Sequence, residues 1–204
     1  MRMRWIAGFA AIVFALGASA FYVASGVYDV GADTPHWDVT RAAIETFRDH
    51  SIAVRTRDIA VPDFADGGMV LKGAGQYAAM CVNCHLAPGM KDSEIRPGLY
   101  PQPPNLSEKR VDPARAFWVV KHGLKMSGMP AWGLGHDDAA IWSIVAFVTR
   151  LSGLSEDHYK QMVAAAPPDE EMGGMKMDGD KAPAGGKKGS ADKGGAKPDG
   201  GHQH

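Results

Sequence analysis

Two cysteines and a histidine stand close enough together to act as one chemical unit. Cys81 and Cys84 are the only cysteines of the chain, and His85 follows directly, which gives the pattern C-x-x-C-H. A thioredoxin-like redox pair would need a βαβ setting, and a zinc site would need a second pair of ligands. A plain disulfide would leave His85 unexplained. The spacing instead suits haem attachment, because two thiols one helical turn apart can bond to one edge of a porphyrin while the histidine ligates the iron.

A haem iron that is held by His85 needs a sixth ligand, and one segment of the chain contains several side chains that could supply it. Residues 121–133 are punctuated by glycine and proline and contain Met129, Met126 and His122. Methionine closes the iron and raises its potential, which suits electron transfer, whereas an open position favours gas or peroxide chemistry. We expect Met129 to be the ligand, with Met126 as the fallback and His122 after it.

The composition excludes several classes of protein. The chain has 204 residues, a formal net charge of −1 and two cysteines. A near-neutral charge gives no electrostatic support for a nucleic-acid partner. Two cysteines are too few for a disulfide-rich scaffold, a four-cysteine zinc site or an iron–sulfur cluster held by four thiolates of one chain.

The N-terminus predicts export. Two arginines precede a run from Trp5 to Tyr28 that carries no charge, and such a run is long enough for a bilayer core of about 30 Å. The arginines place the start in the cytoplasm and the following domain outside. The small-x-small triplet at 18–20 would suit a cleavable signal peptide, but the apolar run continues beyond it, so we favour a retained anchor.

The C-terminus has the composition of a disordered tail. From about residue 167 onward the chain consists mostly of Gly, Lys, Asp, Ala and Pro, with almost no aliphatic or aromatic residue to bury. Soft thioether and imidazole ligands in this tail would suit copper, although their presence is also compatible with a solubilising role alone. These side chains are Met172, Met175, Met177, His202 and His204.

The middle of the chain predicts an all-α domain, because its apolar residues recur at helical spacing and no segment alternates as a strand does. The stretch 86–110 has prolines at 97, 101, 103 and 104, among others, and is expected to be a loop. The expected helices lie at residues 40–50, at 69–84, from 112–113 to about 123, from 137–138 to 151 and, more weakly, at 155–166.

Taken together, the motifs resemble those of class I c-type cytochromes, in particular the bacterial mono-haem proteins with a Gly-Met-Pro-Ala-aromatic-Gly ligand loop. The resemblance covers roughly residues 69–151. It implies that the carbonyl of Pro104 accepts a hydrogen bond from His85, as in a Pro-Asn-Leu segment of the family. It also implies that Gly75 and Tyr77 pack against Trp142 or Phe147.

Other charged and aromatic side chains are candidates for contacts with the haem or with a redox partner. Arg96, Tyr100 and Trp118 are candidates for hydrogen bonds to the haem propionates. Six basic residues are compatible either with a rim that steers an acidic redox partner or with a scattered solvated surface: Lys72, Lys91, Lys109, Arg110, Lys121 and Lys125. The resulting division of the chain is a transmembrane anchor or signal peptide (1–28), an N-terminal extension (29–66), a cytochrome c domain (67–154), a terminal helix (155–166) and a disordered tail (167–204).

The function implied by the resemblance is electron transfer through one covalently bound haem c. We expect a single-pass protein of the bacterial inner membrane, with its soluble domain in the periplasm, or a soluble periplasmic protein if the signal is cleaved. It would carry single electrons from a respiratory-chain or dehydrogenase donor to an acceptor such as a terminal oxidase, rather than act as an enzyme. The alternatives are a copper-handling or oxidase-assembly protein that uses the tail, and a haem enzyme of the peroxidase or gas-reactive kind.

Overall fold

The computed structural model describes residues 2–168, and within this part the fold is all-helical with no strand. This confirms the predicted fold class. Seven α-helices follow one another: α1 (Arg2–Ala24), α2 (Asp38–Arg55), α3 (Gly67–Met80), α4 (Val82–His85), α5 (Pro113–His122), α6 (Asp138–Leu151) and α7 (Glu156–Ala164). Two short 3₁₀ turns, Arg96–Gly98 and Trp132–Leu134, lie in the connections before and after α5.

Side-chain caps fix where the domain's helices begin. The carboxylates of Asp112 and Asp137 each accept a hydrogen bond of 2.8 Å from the backbone N–H three residues on, at the starts of α5 and α6. Asp66 caps α3 in a similar way, and Ser155 caps α7. Each cap satisfies a backbone donor that the helix itself leaves free. The starts of α5 and α6 therefore lie where the sequence predicted them.

The core of the domain is the crossing of α3 and α6. Gly73 allows this close approach, because a Cβ atom there would overlap the carbonyl oxygen of Ser143. Tyr77 packs on Phe147 with ring centroids 5.5 Å apart. The expected aromatic contact is thus present, but the predicted glycine is wrong, since Gly75 faces Ala166 after α7.

The attachment segment is two helices rather than the single helix predicted over 69–84. The backbone departs from helical geometry at Cys81, where φ is −113°, and α4 then forms one turn that ends at Leu86 with φ 62°. The buried hydroxyl of Tyr77 donates a 2.6 Å hydrogen bond to the carbonyl of Leu86 and so fixes this turn. The break redirects the chain directly before His85.

The N-terminal extension folds against the domain through α2, which is longer at both ends than the predicted 40–50. Asp49 of α2 accepts a 2.6 Å hydrogen bond from the guanidinium of Arg115 on α5. Ile52 is the buried residue of this helix. The extension is therefore a packed part of the structure.

Helix α1 contains the apolar stretch Met3–Ala24, which has 22 residues and a mean hydropathy of 2.1, and none of it is buried. Its length and composition suit a membrane span or a signal sequence alike. At the other end, the predicted tail from Asp169 onward, with its Met and His candidates, lies outside the described residues.

Candidate haem-binding site

A cavity of about 400 Å³ lies between the core helices and the loops before and after α5. Its wall is mostly aliphatic, with Val119, Val120, Ile144, Val145 and Val148 contributed by α5 and α6. A largely apolar wall with few polar groups is typical of a cofactor site, and the volume falls within the usual range of about 300–1,000 Å³. The chemically active side chains on this wall are Cys81, Cys84, His85 and Met129.

The two cysteines reach the cavity as free thiols. Burial raises the pKa of the Cys81 thiol to about 12, whereas the nucleophilic cysteine of a redox pair has a lowered pKa.

The imidazole of His85 is held by one of its two ring nitrogens. Nδ1 lies 3.0 Å from the carbonyl oxygen of Pro104, and because a carbonyl only accepts, Nδ1 must donate the proton. Nε2 then keeps its lone pair for a metal. Burial lowers the pKa of His85, which favours the neutral form that ligation requires.

The loop that carries Pro104 is fixed from both sides. Leu106 donates a 3.0 Å backbone hydrogen bond to the carbonyl of His85. The Arg96 guanidinium donates to the carbonyl of Pro103 at 3.2 Å and pairs with Asp92 at 3.4 Å. Arg96 thus positions the segment that orients His85.

Met129 sits on a strap that is folded back on itself. Its backbone carbonyl accepts a 3.1 Å hydrogen bond from Leu124, and its N–H donates to Ser127 at 3.2 Å. Gly123 at the base of the strap has φ 63°, and a side chain there would collide with Met129. Met126, the fallback ligand, is 95 % exposed and does not line the cavity.

The candidates for the haem propionates are arranged differently from the prediction. Besides Arg96, the Tyr100 hydroxyl is engaged with the backbone N–H of His36 at 3.1 Å, and Trp118 packs on His122. None of the three predicted residues lines the cavity.

Three other cationic side chains line the cavity instead, namely Arg48, Arg110 and Arg115. Arg48 and Arg115 both bond to Asp49, at 3.0 Å and 2.6 Å, and the hydrogen bond from Arg48 is the main reason that the pKa of Asp49 is lowered. Arg110 belongs to the predicted basic rim. Sequence reasoning missed Arg48 and Arg115 because no motif marks them; Arg115 belongs to α5, and the packing of α2 on α5 brings Arg48 to the cavity.

The donor set fits a c-type haem: two thiols, an imidazole with a free nitrogen and a thioether share one apolar cavity. Nowhere in residues 2–168 do three or more His, Cys, Asp or Glu side chains cluster as a separate metal site.

Comparison with known families agrees with this geometry. A family model described as cytochrome c oxidase, cbb3-type, subunit III matches residues 68–148, which is less than half of the 204-residue chain. No curated protein and no solved structure matches the chain. The matched segment runs from α3 into α6, so it contains the four side chains on the cavity wall, while α1 and α2 lie outside it.

Proposed function

We propose that residues 68–148, which match the cbb3-type subunit III model, form a class I c-type cytochrome domain, and that the chain is a membrane-tethered, exported carrier of single electrons. Haem-based electron transfer is the role of such a domain. Bound haem supplies a one-electron ferric–ferrous couple, and the protein sets its potential through the axial ligands and the polarity around them. The division into anchor, extension, cytochrome domain (67–154), terminal helix and tail is part of the proposal.

In this proposal one haem c is held by four side chains. Cys81 and Cys84 form thioether bonds, in which each S–H adds across one vinyl group and no oxidant is needed. His85 and Met129 would ligate the iron, with the carbonyl of Pro104 holding the His85 ring. The observation that carries this assignment is the convergence of these side chains on one apolar cavity.

The arginines at the cavity are proposed to meet the carboxylates of the haem. Guanidinium groups bind carboxylates bidentately and stay charged at any physiological pH. Arg48 and Arg115 are already oriented by Asp49 between them. The extension helix α2 thus contributes to a site whose other parts come from the matched domain.

We propose that the electron partners are membrane-bound respiratory proteins. The matched family is named for a subunit of an oxidase, and an apolar N-terminal helix long enough to cross a membrane precedes the domain. With the anchor retained, the domain faces the periplasm, receives electrons from a quinol-oxidising complex or dehydrogenase and passes them to an oxidase. In the described residues, no observation favours a haem enzyme or a copper-handling protein over this role.

The assignment of the sixth ligand is tested by paired substitutions. Methionine ligation produces a weak absorption band near the red end of the ferric spectrum, from charge transfer between sulfur and iron. We expect Met129→Ala to abolish this band and to lower the potential, because thioether ligation favours the ferrous state. Met126→Ala is the matched control and should leave both unchanged, since Met126 is exposed and points away from the cavity wall.

The same samples test the other parts of the proposal. Haem should remain on the denatured wild-type chain after solvent extraction and should be extracted from a chain with both cysteines replaced by alanine. Loss of the band in Met126→Ala alone would overturn the ligand assignment. Rapid carbon monoxide binding by the reduced wild-type protein would overturn the role of a closed electron carrier in favour of a gas-reactive one.

A further inference from the structure

Helix α2 is amphipathic, but its apolar stripe faces away from the domain. Val39, Ala43, Phe47 and Val54 follow one another at helical spacing, and all four are exposed, with Phe47 at 79 %. A helix that packs on a core normally turns its apolar side inward. Here the inward side carries the buried Ile52 and Asp49, which pairs with Arg115, and within residues 2–168 the outward stripe stays exposed.

The position of α2 along the chain indicates what covers this stripe. Trp37, directly before α2, contacts Tyr22 of α1 with ring centroids 6.1 Å apart, and it contacts Tyr28 at 5.4 Å. These aromatic residues sit where the candidate span ends, at Ala24. Aromatic side chains at such an end typically occupy the headgroup layer of a bilayer. The start of α2 is therefore held at the level of the lipid headgroups if α1 spans the membrane.

The connection between span and domain is also tied to the haem-site loop. The hydroxyl of Tyr28 is 2.7 Å from Nδ1 of His36, and the backbone N–H of His36 donates to the hydroxyl of Tyr100 at 3.1 Å. Tyr100 immediately precedes the segment 101–104, which lines the cavity. The domain is thus held close to the end of α1 rather than on a free linker.

Neither the C-terminal residues nor a charged protein partner is a better candidate to cover the stripe of α2. Residues 169–204 contain no Val, Leu, Ile, Phe, Tyr or Trp, and their largest apolar side chains are three methionines interspersed with glycine and charged residues. Within α2, Arg41, Arg48 and Arg55 are balanced by Asp38, Glu45 and Asp49, so the stripe lacks the net charge that would select a charged protein partner. The remaining way to cover the stripe is to bury its apolar side chains in the interfacial layer of a membrane.

We propose that the outward face of α2 lies in the interfacial layer of the bilayer that α1 spans, with Val39, Ala43 and Phe47 inserted among the lipids. The inference rests on the proposed retention of the anchor. Its consequence is that the haem cavity, which Arg48 of the same helix lines, is held at a fixed height and orientation above the membrane. Because apolar insertion drives the contact, zwitterionic lipid suffices for it.

The test measures the depth of a nitroxide on full-length holoprotein in phosphatidylcholine vesicles. The label is attached through Ala43→Cys on the stripe or through Gln161→Cys, an exposed position on α7. The wild-type holoprotein is the labelling control, because both of its cysteines belong to the haem motif. We expect the ratio of collisions with oxygen to collisions with an aqueous nickel chelate to be about fivefold higher at position 43 than at position 161.

Two substitutions separate lipid contact from general effects on the fold. Adding Phe47→Asp should bring the ratio at position 43 down to that at position 161, since a carboxylate opposes insertion. Leu134→Asp removes a similarly exposed apolar side chain, 92 % exposed, from another part of the domain and should leave the ratio unchanged.

Other outcomes overturn the proposal in distinguishable ways. Equal ratios at both positions would exclude lipid docking. Shielding of position 43 from both reagents would indicate a second copy if it depends on protein concentration, and a partner protein if it occurs only in native membranes. Failure of the protein to float with the vesicles would overturn the retained anchor as well, while the spectra described above would still decide electron transfer.

Discussion

At the scale of single residues, the proposed haem site combines neutral candidate ligands with a wall that carries three arginines and one aspartate. Burial lowers the pKa of His85 and so favours its neutral form, while the hydrogen bond from Nδ1 to the carbonyl of Pro104 orients the ring; a thioether carries no charge. Arg48, Arg110 and Arg115 are the cationic side chains that line the cavity, and Asp112 is an anionic one, so these are the groups whose charges would act on a haem bound there. A nearby cation disfavours the ferric state, which carries one more positive charge than the ferrous state.

We expect Arg48→Gln to lower the midpoint potential. One charge at the edge of a partly solvated site is worth about 1 kcal/mol, equivalent to roughly 40 mV for a one-electron couple. The matched control is Arg41→Gln on the same helix, because Arg41 pairs with Asp38 and Glu45 and does not line the cavity. Potentiometric titration of the holoproteins measures both; equal potentials for the two variants would exclude a role of Arg48 at the haem.

The difference between the predicted and the missed residues is one of sequence distance. Cys81, Cys84 and His85 form a local motif, and the chemistry of that motif requires their spacing, so the sequence alone suggests them. Met129 was suggested by residue type and loop composition, and it lines the cavity as expected. Arg48 is contributed by the packing of α2 on α5, a tertiary contact between segments that no motif connects.

At the scale of elements, the crossing of α3 and α6 fixes the distance between the two sides of the cavity. α3 leads directly to the cysteines, and α6 supplies Ile144, Val145 and Val148 to the opposing apolar wall. The distance between α3 and α6 depends on Gly73, because the backbone of Ser143 occupies the space that a side chain at position 73 would need.

Gly73→Ala should therefore force the two helices apart. Since the obstacle is backbone rather than a flexible side chain, we expect a loss of at least about 3 kcal/mol in the free energy of unfolding. Gly67→Ala, at the start of the same helix and with open space around it, should be neutral or slightly stabilising. Thermal unfolding of the holoproteins, followed by circular dichroism, compares them; equal midpoints would show that the helices can separate at little cost.

The helix boundaries were predictable where a local signal exists and less so elsewhere. The aspartate caps of α5 and α6 are local, and both starts were predicted. Whether Gly73 or Gly75 contacts α6 depends on how α3 is rotated about its own axis. The residues at 73–75 are all small, so helical periodicity does not determine this rotation. The sequence also does not predict the direction of the α2 stripe. An amphipathic pattern shows which side of a helix is apolar, but it does not show whether that side faces the domain.

At the scale of the whole molecule, α1 adds nothing to the described core, and in the proposed function it is the anchor that determines where the domain works. None of its apolar stretch is buried, and its one aromatic contact is with the connection to α2. A tether of this length keeps the domain near membrane partners at an effective concentration of about 1 mM. Its contribution is therefore to the rate of encounter and not to the potential.

This predicts that a variant lacking residues 1–27, exported with an unrelated cleavable signal, keeps the spectrum and potential of the full chain. Its reduction by quinol-energised native membranes, at a protein concentration near 1 μM, should be at least about tenfold slower, because encounter becomes a three-dimensional search. Replacing α1 with an unrelated single span of the same length should restore the fast rate. Stopped-flow absorbance of the haem measures all three proteins. Equal rates for the tethered and untethered forms would show that recognition by the partner, rather than confinement at the membrane, controls electron delivery.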